Sequence, residues 1–397
     1  MINTKEEFKA FVEDIQSQSW YKKPIGFAIG RVDRGQIDSS KILQVTFPII
    51  NWNENYGSAA VFLNALKKSN VDIELNNKSE LVANINQVFI DECLKVFNPY
   101  ISEAKGDDHK NTQVINTISS LLKQSNELSF EHFKIVFIFE DFQPQSVECV
   151  YLKLYALSLG KVQLRSLDLN GAFGLLHNCA WVGNIPIELD WLRQNEMQMK
   201  LSGTYPKIDM VDKFPRFLSH IIPADNTRIL DTSKVRFGAQ LAGGTTVMPG
   251  ASYINFNAGT KGAVMVEGRI SSSAVVGNGS DIGGGASILG VLSGTDGIPV
   301  SVGENTLLGV NSCIGVAIGD GCILDAGVTI LAGTKITLRQ KDVEDISKAN
   351  PNKEIKTLMK GSDFIGLNGV HFRQNSINGQ IIAKRSTKEI KLNSDLH

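Results

Sequence analysis

Residues 264–288 read VMVEGRISSSAVVGNGSDIGGGASI, and a branched apolar residue returns at every sixth position counted from Val264. The same period runs, with interruptions, from residue 235 to residue 336, and glycine usually stands three positions after the apolar residue. A repeat of six is too short for a helical hairpin or a propeller blade, and it suits a triangular coil with one short strand per side. The pattern therefore predicts a hexapeptide-repeat solenoid, a parallel β-helix, with these residues pointing inward: Val235, Leu241, Val247, Tyr253, Val264, Ile270, Val276, Ile282, Ile288, Val302, Leu308, Ile314, Ile318, Leu324, Ile330 and Ile336.

The repeat is interrupted at three places. Tyr253 and Val264 are eleven residues apart rather than twelve, and Ile314 and Ile318 are only four apart. Between Ile288 and Val302 the step is fourteen residues and includes residues 293–299, SGTDGIP. Loops that leave a regular scaffold are frequent positions for functional sites. Each interruption is therefore either a candidate position for a functional site or a neutral loop insertion.

The remaining chain predicts α/β domains before the solenoid. We expect domains at residues 1–110 and 111–228, the solenoid at 229–340, and a C-terminal extension at 341–397 that caps it. Predicted strands begin at Ile25, Ile42 and Phe133 because these runs are rich in apolar and β-branched residues. Predicted helices cover residues 57–68, 147–158 and 187–199, and Asn3 or Thr4 is placed to cap another at the N-terminus.

Composition excludes several classes of protein. The 397-residue chain has a net charge of −1 and a pI near 6.6, which argues against nucleic-acid or membrane-surface binding. No apolar run approaches the ~20 residues of a membrane span, and the acidic N-terminus lacks the apolar centre of a signal peptide. The five cysteines have no CxxC spacing. Together these features predict a cytoplasmic protein with free thiols.

Glu267 is the acid that departs most from the repeat. Counted from Val264, it takes the hexad position that glycine occupies elsewhere, and it is the only carboxylate between residues 232 and 280. Arg269 follows two positions later and would favour the ionised form of Glu267 if it lies within reach. The sequence is consistent both with a functional acid and with an exposed corner residue.

Histidine is absent between His220 and His371. The absence argues strongly against a histidine-based metal cluster within the coil, of the kind found in γ-type carbonic anhydrases. It also argues against a histidine base of the kind that many solenoid acetyltransferases use. Carboxylates remain as candidates for proton transfer, and Asp281 and Asp325 join Glu267 in that group. Four basic residues near the C-terminus would suit the phosphates of coenzyme A: Lys360, Arg373, Lys384 and Arg385.

The chain closely resembles the tetrahydrodipicolinate N-succinyltransferase family, in its longer bacterial branch. The motifs that carry the resemblance are NFNAGT at 255–260, MVEGRIS at 265–271, GSDIGGGASILG at 279–290, LGVNS at 308–312 and FRQNS at 372–376. The resemblance is strong over about residues 230–340 and 360–380 and looser before them.

The resemblance implies a left-handed β-helix, a homotrimer and succinyl-CoA as a co-substrate, with no permanently bound cofactor. The acceptor would be the amine of ring-opened tetrahydrodipicolinate. Glu267 would be the catalytic acid, the N–H of Gly290 would stabilise the oxyanion, and Arg269 would hold a carboxylate. The donor site would further include Gly284, Ser287, Val310, Asp325, Ala326, Gly333, Lys360, Arg373, Gln374, Asn375 and Ser376.

Two alternatives remain open on the sequence: a solenoid acyltransferase with acetyl-CoA or another acceptor, and a non-catalytic trimeric scaffold. Some family members hold a divalent cation on the trimer axis through Asp and Glu. This chain has no carboxylate between Lys234 and Ala251, so we expect no metal there.

Overall fold

The computed structural model describes residues 2–71, 73, 75, 77–125, 127–291, 295 and 297–392. The chain divides into two compact units. The first contains residues up to 156 and residues 167–214, and the second contains residues 157–166 and 215–397. Of the predicted insert at 293–299, residues 293, 294 and 296 lie outside the described part.

The first unit is built on an antiparallel sheet with the order β2-β1-β5-β4, and β3 also pairs with β1. A second small sheet has the order β7-β6-β8. In chain order the elements are α1 (Lys5–Ser17), β1 (Gly26–Arg34), β2 (Ile42–Thr46), β3 (Asn51–Trp52), α2 (Tyr56–Lys68), β4 (Glu80–Asn84), α3 (Gln87–Phe97), α4 (Lys110–Gln124), β5 (Phe133–Ile138), α5 (Val147–Ser158), α6 (Ala172–Leu175), β6 (Cys179–Val182), β7 (Ile185–Glu188), α7 (Leu189–Ser202) and β8 (Met210–Asp212).

Most predicted elements of this unit are confirmed. Thr4 caps α1, because its side-chain oxygen accepts a hydrogen bond from the N–H of Glu7 at 3.1 Å. The helix predicted to begin at Ile187 begins instead at Leu189, since Ile187 pairs with Ala180 in the small sheet. Phe27, Phe62, Phe89 and Phe137 are buried between the main sheet and its helices.

The second unit contains the repeat, folded as a three-sided coil of parallel strands. Its elements are β9 (Arg228–Ile229), β10 (Thr246–Val247), β11 (Tyr253–Ile254), β12 (Gly259–Thr260), β13 (Val264–Val266), β14 (Arg269–Ile270), β15 (Val275–Val276), β16 (Ser280–Ile282), β17 (Ser287–Ile288), β18 (Ser301–Val302), β19 (Leu307–Leu308), β20 (Cys313–Ile314), β21 (Ile323–Leu324), β22 (Thr329–Ile330), β23 (Lys335–Thr337), α8 (Gln340–Ala349), β24 (Leu358–Lys360), β25 (Val370–Gln374) and β26 (Ile381–Arg385).

Each side of the coil is a parallel sheet. The first side is β10-β13-β16-β19-β21, the second is β11-β14-β17-β20-β22, and the third is β12-β15-β18. The inner residue of each strand stacks on its equivalent one turn later, ~4.8 Å away. These stacks are Val247, Val266, Ile282, Leu308 and Leu324 on the first side, Ile254, Ile270, Ile288, Ile314 and Ile330 on the second, and Thr260, Val276 and Val302 on the third. Complete burial of one such aliphatic side chain contributes about 1.5–3 kcal/mol.

Two inward predictions are wrong. Tyr253 is half-buried, and its neighbour Ile254 takes the inner position because it pairs with Ile270. Leu241 lies outside the strands and is also half-buried. A constant six-residue spacing requires corners of equal length. The corner after Val247 is longer than that spacing allows.

The C-terminal segment adds to the first side of the coil. β25 pairs in parallel with β21, so that His371 lies beside Ile323 and Phe372 beside Leu324. β26 then returns antiparallel to β25. Phe364 and Phe372 are fully buried and meet edge to face, with ring centroids 5.1 Å apart. This apolar contact packs two parts of the C-terminal segment together, and the pairing of β25 with β21 joins the segment to the coil.

All five cysteines are free. Within the described part of the chain, every helix is too short or too polar to cross a membrane.

Candidate functional site

Along the edge between the first and second sides of the coil, the corner of one turn is shorter than the corners of the turns that follow it. Between the first and second sides, the chain uses only two residues, 267 and 268, to pass from β13 to β14. The next three turns use four residues each: 283–286, 309–312 and 325–328. The corner between β13 and β14 is therefore two residues shorter than the corner of the next turn beside it.

Glu267 occupies the short corner. Its N–H donates to the carbonyl of Ile282 at 2.8 Å, and its carbonyl accepts from the N–H of Gly285 at 3.2 Å. The expectation that Glu267 takes a glycine hexad position is wrong, because Val266 rather than Val264 aligns with Ile282. Glu267 instead directly follows the inner residue of its strand.

The carboxylate of Glu267 points toward Gly284 of the next turn. A Cβ added at Gly284 would lie 3.7 Å from Oε2, and that oxygen is its nearest neighbour. The side chain is half-buried, and among the residues described it has no hydrogen-bond or ion-pair partner. A partly buried carboxylate without partners is available to a ligand.

The glycines around this corner differ in the space that they have. A Cβ at Gly268 would lie 2.4 Å from the carbonyl oxygen of Ala286, and one at Gly283 would lie 2.7 Å from that of Leu308. Both positions therefore require glycine for the turns to stack. Gly284 has room for a side chain, and its lack of one keeps the surface beside Glu267 open.

Three predicted donor-site residues line the same edge of the coil, and we call them the corner row: Gly284, Val310 and Ala326. The carbonyl of Gly284 accepts from the N–H of Asn311 at 3.0 Å, and that of Val310 accepts from Gly327 at 2.9 Å. Each turn thus hydrogen-bonds to the next along this edge. The Val310 side chain is 52% exposed, so the row is accessible from outside.

Asp325 stands at the end of this edge, at the position equivalent to Glu267. Its Oδ1 lies 2.6 Å from His371 Nε2, and its Oδ2 accepts from Arg373 Nε at 2.7 Å. Burial acts to raise the pKa of Asp325, but these two hydrogen bonds outweigh it and hold the pKa below the ordinary value. His371 was not among the predicted residues; its contact with Asp325 depends on the pairing of β25 with β21.

Arg269 and Ser287 lie side by side on the outer face of the second side. Cys313 follows Ser287 in the same row. Burial raises the pKa of Cys313, and the Arg269 charge opposes that rise. The guanidinium of Arg269 is exposed, two residues from Glu267, and can hold an anionic group next to the corner row.

Gly290 lies at a different corner, between the second and third sides. A Cβ there would be 3.0 Å from Ser271 Cβ and 3.1 Å from Ser272 Oγ, so the residue is tightly backed by the preceding turn. Gly290 is buried. Its N–H donates to no partner in the described residues, although most buried N–H groups are paired.

Gly333 and Lys360 are close to each other near the end of the same edge as Gly290. Lys360 pairs with Lys335, and the N–H of Gly361 donates to the carbonyl of Thr334 at 2.9 Å. Gln374 ends β25, and Asn375 and Ser376 begin its turn into β26. A single chain therefore brings together Glu267, Arg269, Ser287, the corner row, Asp325 and Arg373, and it separates them from Gly290, Gly333 and Lys360.

Over the described ranges, no cluster of three or more His, Cys, Asp and Glu side chains could hold a metal ion.

Comparisons with known proteins cover the full chain. Family models match residues 6–174 (tetrahydrodipicolinate N-succinyltransferase N-terminal), 176–216 (the middle domain of the same family) and 299–332 (hexapeptide repeat of succinyl-transferase). A Sulfurovum protein named 2,3,4,5-tetrahydropyridine-2,6-dicarboxylate N-succinyltransferase is 61% identical over 100% of this chain and 99% of its own length. The protein of the same name from Helicobacter pylori is 50% identical over 100% of both chains.

A solved structure also matches this chain over nearly its full length. The crystal structure of a putative 2,3,4,5-tetrahydropyridine-2-carboxylate N-succinyltransferase from Campylobacter jejuni matches with a TM-score of 0.91 and 54% identity. The match covers 98% of this chain and 100% of that one.

Proposed function

Because the chain belongs to the tetrahydrodipicolinate N-succinyltransferase family, we propose that it transfers a succinyl group from succinyl-CoA to the amine of ring-opened tetrahydrodipicolinate, 2-amino-6-oxopimelate. The product is N-succinyl-2-amino-6-oxopimelate, an intermediate of diaminopimelate and lysine synthesis. The observation that carries the proposal is the Glu267 carboxylate at the short corner, which is half-buried and has no partner among the described residues. The coil that holds it is a left-handed β-helix, and the enzyme acts in the cytoplasm.

Succinyl transfer requires a group that handles a proton or an acyl chain next to the thioester. In the direct route, the acceptor nitrogen attacks the thioester carbonyl while Glu267 takes its proton, and coenzyme A leaves as the thiol. In the covalent route, the Glu267 carboxylate attacks first, coenzyme A leaves, and the amine then takes the succinyl group from the resulting anhydride. Both routes need a carboxylate that no protein group occupies, and Glu267 has no side-chain partner among the residues that the structure describes.

The oxyanion of either tetrahedral intermediate needs a donor. The N–H of Gly290 is supported in this role by its burial and by its lack of a partner among the residues that the structure describes. Loss of one such donor costs about two to three decades in rate.

Succinyl-CoA binds along the corner row. Arg269 holds the succinyl carboxylate, for which the planar guanidinium is suited. Gly284, Val310 and Ala326 provide accessible backbone along the edge, with Asp325 and Arg373 at its end. The phosphates of coenzyme A meet the segment from Arg373 to Ser376 of one chain and Lys360 of a neighbouring chain.

The active site is completed by a second copy in a homotrimer. Glu267 lies at the corner between the first and second sides and Gly290 at the corner between the second and third sides, and this separation supports a site shared between two chains. A neighbouring subunit that brings its Gly290 corner against the Glu267 corner would complete the site. Closed cyclic symmetry then repeats this site at each interface.

The deciding measurement is release of coenzyme A from succinyl-CoA and from acetyl-CoA, each with and without the acceptor. We expect release with succinyl-CoA that depends on the acceptor. Equal or faster release with acetyl-CoA would favour the alternative donor, and no release from either would favour a scaffold. A burst of about one coenzyme A per site without acceptor would select the covalent route.

A further inference from the structure

Arg165 lies in the short segment 157–166 that belongs to the coil unit. Its guanidinium donates to three oxygens on the third side: Nε to the Ser273 carbonyl at 2.6 Å, Nη2 to the Val300 carbonyl at 2.6 Å, and Nη1 to Ser301 Oγ at 3.0 Å. Its backbone N–H donates to Asn257 Oδ1 at 2.8 Å. One arginine thus bonds to three successive turns of the coil.

This arrangement is costly. The three oxygens that the guanidinium contacts are neutral, and partial burial lowers the pKa of Arg165. Its backbone has a φ of 72°, in the left-handed region that non-glycine residues avoid. Arg165 therefore combines a strained backbone with a half-buried guanidinium that has no acidic partner among the described residues. Such costs persist where the surrounding structure holds the residue in place.

The contacts fall at the point where the coil is interrupted. The regular turn ends near Gly290, and the chain returns to the third side at Val300 and Ser301. The Val300 carbonyl accepts from both Arg165 and the N–H of Val275. Arg165 therefore joins the turn before the interruption to the turn after it.

The same guanidinium fixes the surface behind Gly290. Ser273 has a φ of 62° and ends the tight turn of residues 271–273, where the N–H of Ala274 donates to the Ser271 carbonyl at 3.0 Å. Ser271 and Ser272 are the groups nearest to the Cβ position of Gly290, at 3.0 and 3.1 Å. A shift of the turn would therefore displace Gly290.

We infer that Arg165 is a positioning residue for succinyl transfer: it fixes the turn of residues 271–273 and thereby the direction of the Gly290 N–H. The inference rests on the proposed oxyanion role of Gly290. Arg165 itself touches neither substrate. Its effect should appear in turnover, because a misaligned donor stabilises the transition state less while donor binding along the corner row is unchanged.

The test is a double-mutant cycle on the full-length enzyme with Arg165→Met and Gly290→Pro, since proline removes the N–H itself. We expect Arg165→Met to lower kcat by at least about tenfold, with KM for succinyl-CoA within about twofold. In the double variant, we expect no loss beyond that of Gly290→Pro. Arg165→Lys should recover part of kcat, and Ser301→Ala, which leaves both carbonyl contacts, should change it little.

Light scattering and thermal unfolding establish that each variant assembles. If Gly290→Pro does not assemble, Gly290→Ala replaces it in the cycle. The added alanine Cβ would press on Ser271 and move the same N–H. Unchanged kcat in assembled Arg165→Met, or multiplicative losses in the double variant, would overturn the inference and leave the proposed function intact. Full turnover in the Gly290 variant would instead remove the oxyanion role, and the inference with it.

Discussion

At the scale of single residues, the site is defined by polar groups that the fold leaves without partners. Proteins pair nearly all buried polar groups, so an unpaired one calls for a reason. In the described part of the chain, the buried Gly290 N–H and the half-buried Glu267 carboxylate both lack a hydrogen-bond partner. They have the opposite polarities that acyl transfer needs at the oxyanion and at the nucleophile.

Replacement of Glu267 by Gln keeps the shape of the side chain and removes its basicity. We expect kcat to fall by about two to four decades, with the trimer and succinyl-CoA binding retained, as measured by steady-state kinetics and calorimetry. Glu304→Gln, an exposed acid elsewhere on the coil, is the matched control and should keep normal turnover. Normal turnover in the Glu267 variant as well would remove this residue from the mechanism.

Arg269 should determine donor selectivity. Butyryl-CoA has the length of succinyl-CoA but no terminal carboxylate, so Arg269→Met should lower kcat/KM for succinyl-CoA without lowering it for butyryl-CoA. Hydrogen bonds to charged groups contribute about 1.5–3 kcal/mol, which corresponds to a tenfold or larger change in the ratio. Lys341→Met, an exposed cation on α8, is the control. An unchanged ratio would place the succinyl carboxylate elsewhere.

At the scale of elements, the short corner sets the surroundings of Glu267. Two glycines on its successive turns, Gly268 and Gly284, separate an effect on stability from an effect on activity. Gly268→Ala places a Cβ 2.4 Å from the Ala286 carbonyl oxygen, so we expect it to destabilise the coil by about 1–3 kcal/mol in thermal or denaturant unfolding. Gly284→Ala has space, so it should fold normally and reduce activity because its methyl group lies beside Glu267. Equal stability of the two variants would contradict this account of the corner.

His220 gives the coil unit a pH dependence. It stacks on Phe237 with ring centroids 4.4 Å apart, and burial lowers the pKa of His220 from 6.5 to about 3. The folded state therefore keeps His220 neutral while the unfolded state protonates it below pH 6.5, so stability falls as the pH decreases from 6.5 toward 3. His220→Phe should flatten this slope, by up to about 1.4 kcal/mol per pH unit, in unfolding measured from pH 7 to 4. An identical slope would place the acid sensitivity on other groups.

The sequence predicts the strands of the coil well and their phase less well. The six-residue period identified most inner residues because branched side chains must stack on each other at fixed spacing. The phase was wrong at Glu267, since Val264 and Val266 are both apolar and fully buried, and only the pairing of Val266 with Ile282 distinguishes them. His371 could not be placed beside Asp325, because that contact requires β25 to extend the first side of the coil.

At the scale of the whole molecule, the proposed trimer makes the subunit interface part of the chemistry, because Glu267 and Gly290 lie at different corners of one coil. The inferred role of Arg165 is to fix one of the two corners that this interface brings together. In this proposal a single chain carries two half-sites, and assembly joins each half to a half from a neighbour.

Mixed trimers test this arrangement. Glu267→Gln chains and Gly290→Pro chains are each expected to lose most of their activity alone, but an interface that takes Glu267 from a Gly290→Pro chain and Gly290 from a Glu267→Gln chain is intact. A cyclic trimer that contains both kinds of chain has one such interface among its three, so purified mixed trimers should regain about a third of the normal sites. Co-expressed chains with different tags, purified as mixed trimers and assayed for coenzyme A release, provide the measurement. Mixing of the two homotrimers without subunit exchange is the control and should stay inactive. If the mixed trimers are also inactive, both groups act within one chain and the shared site is wrong.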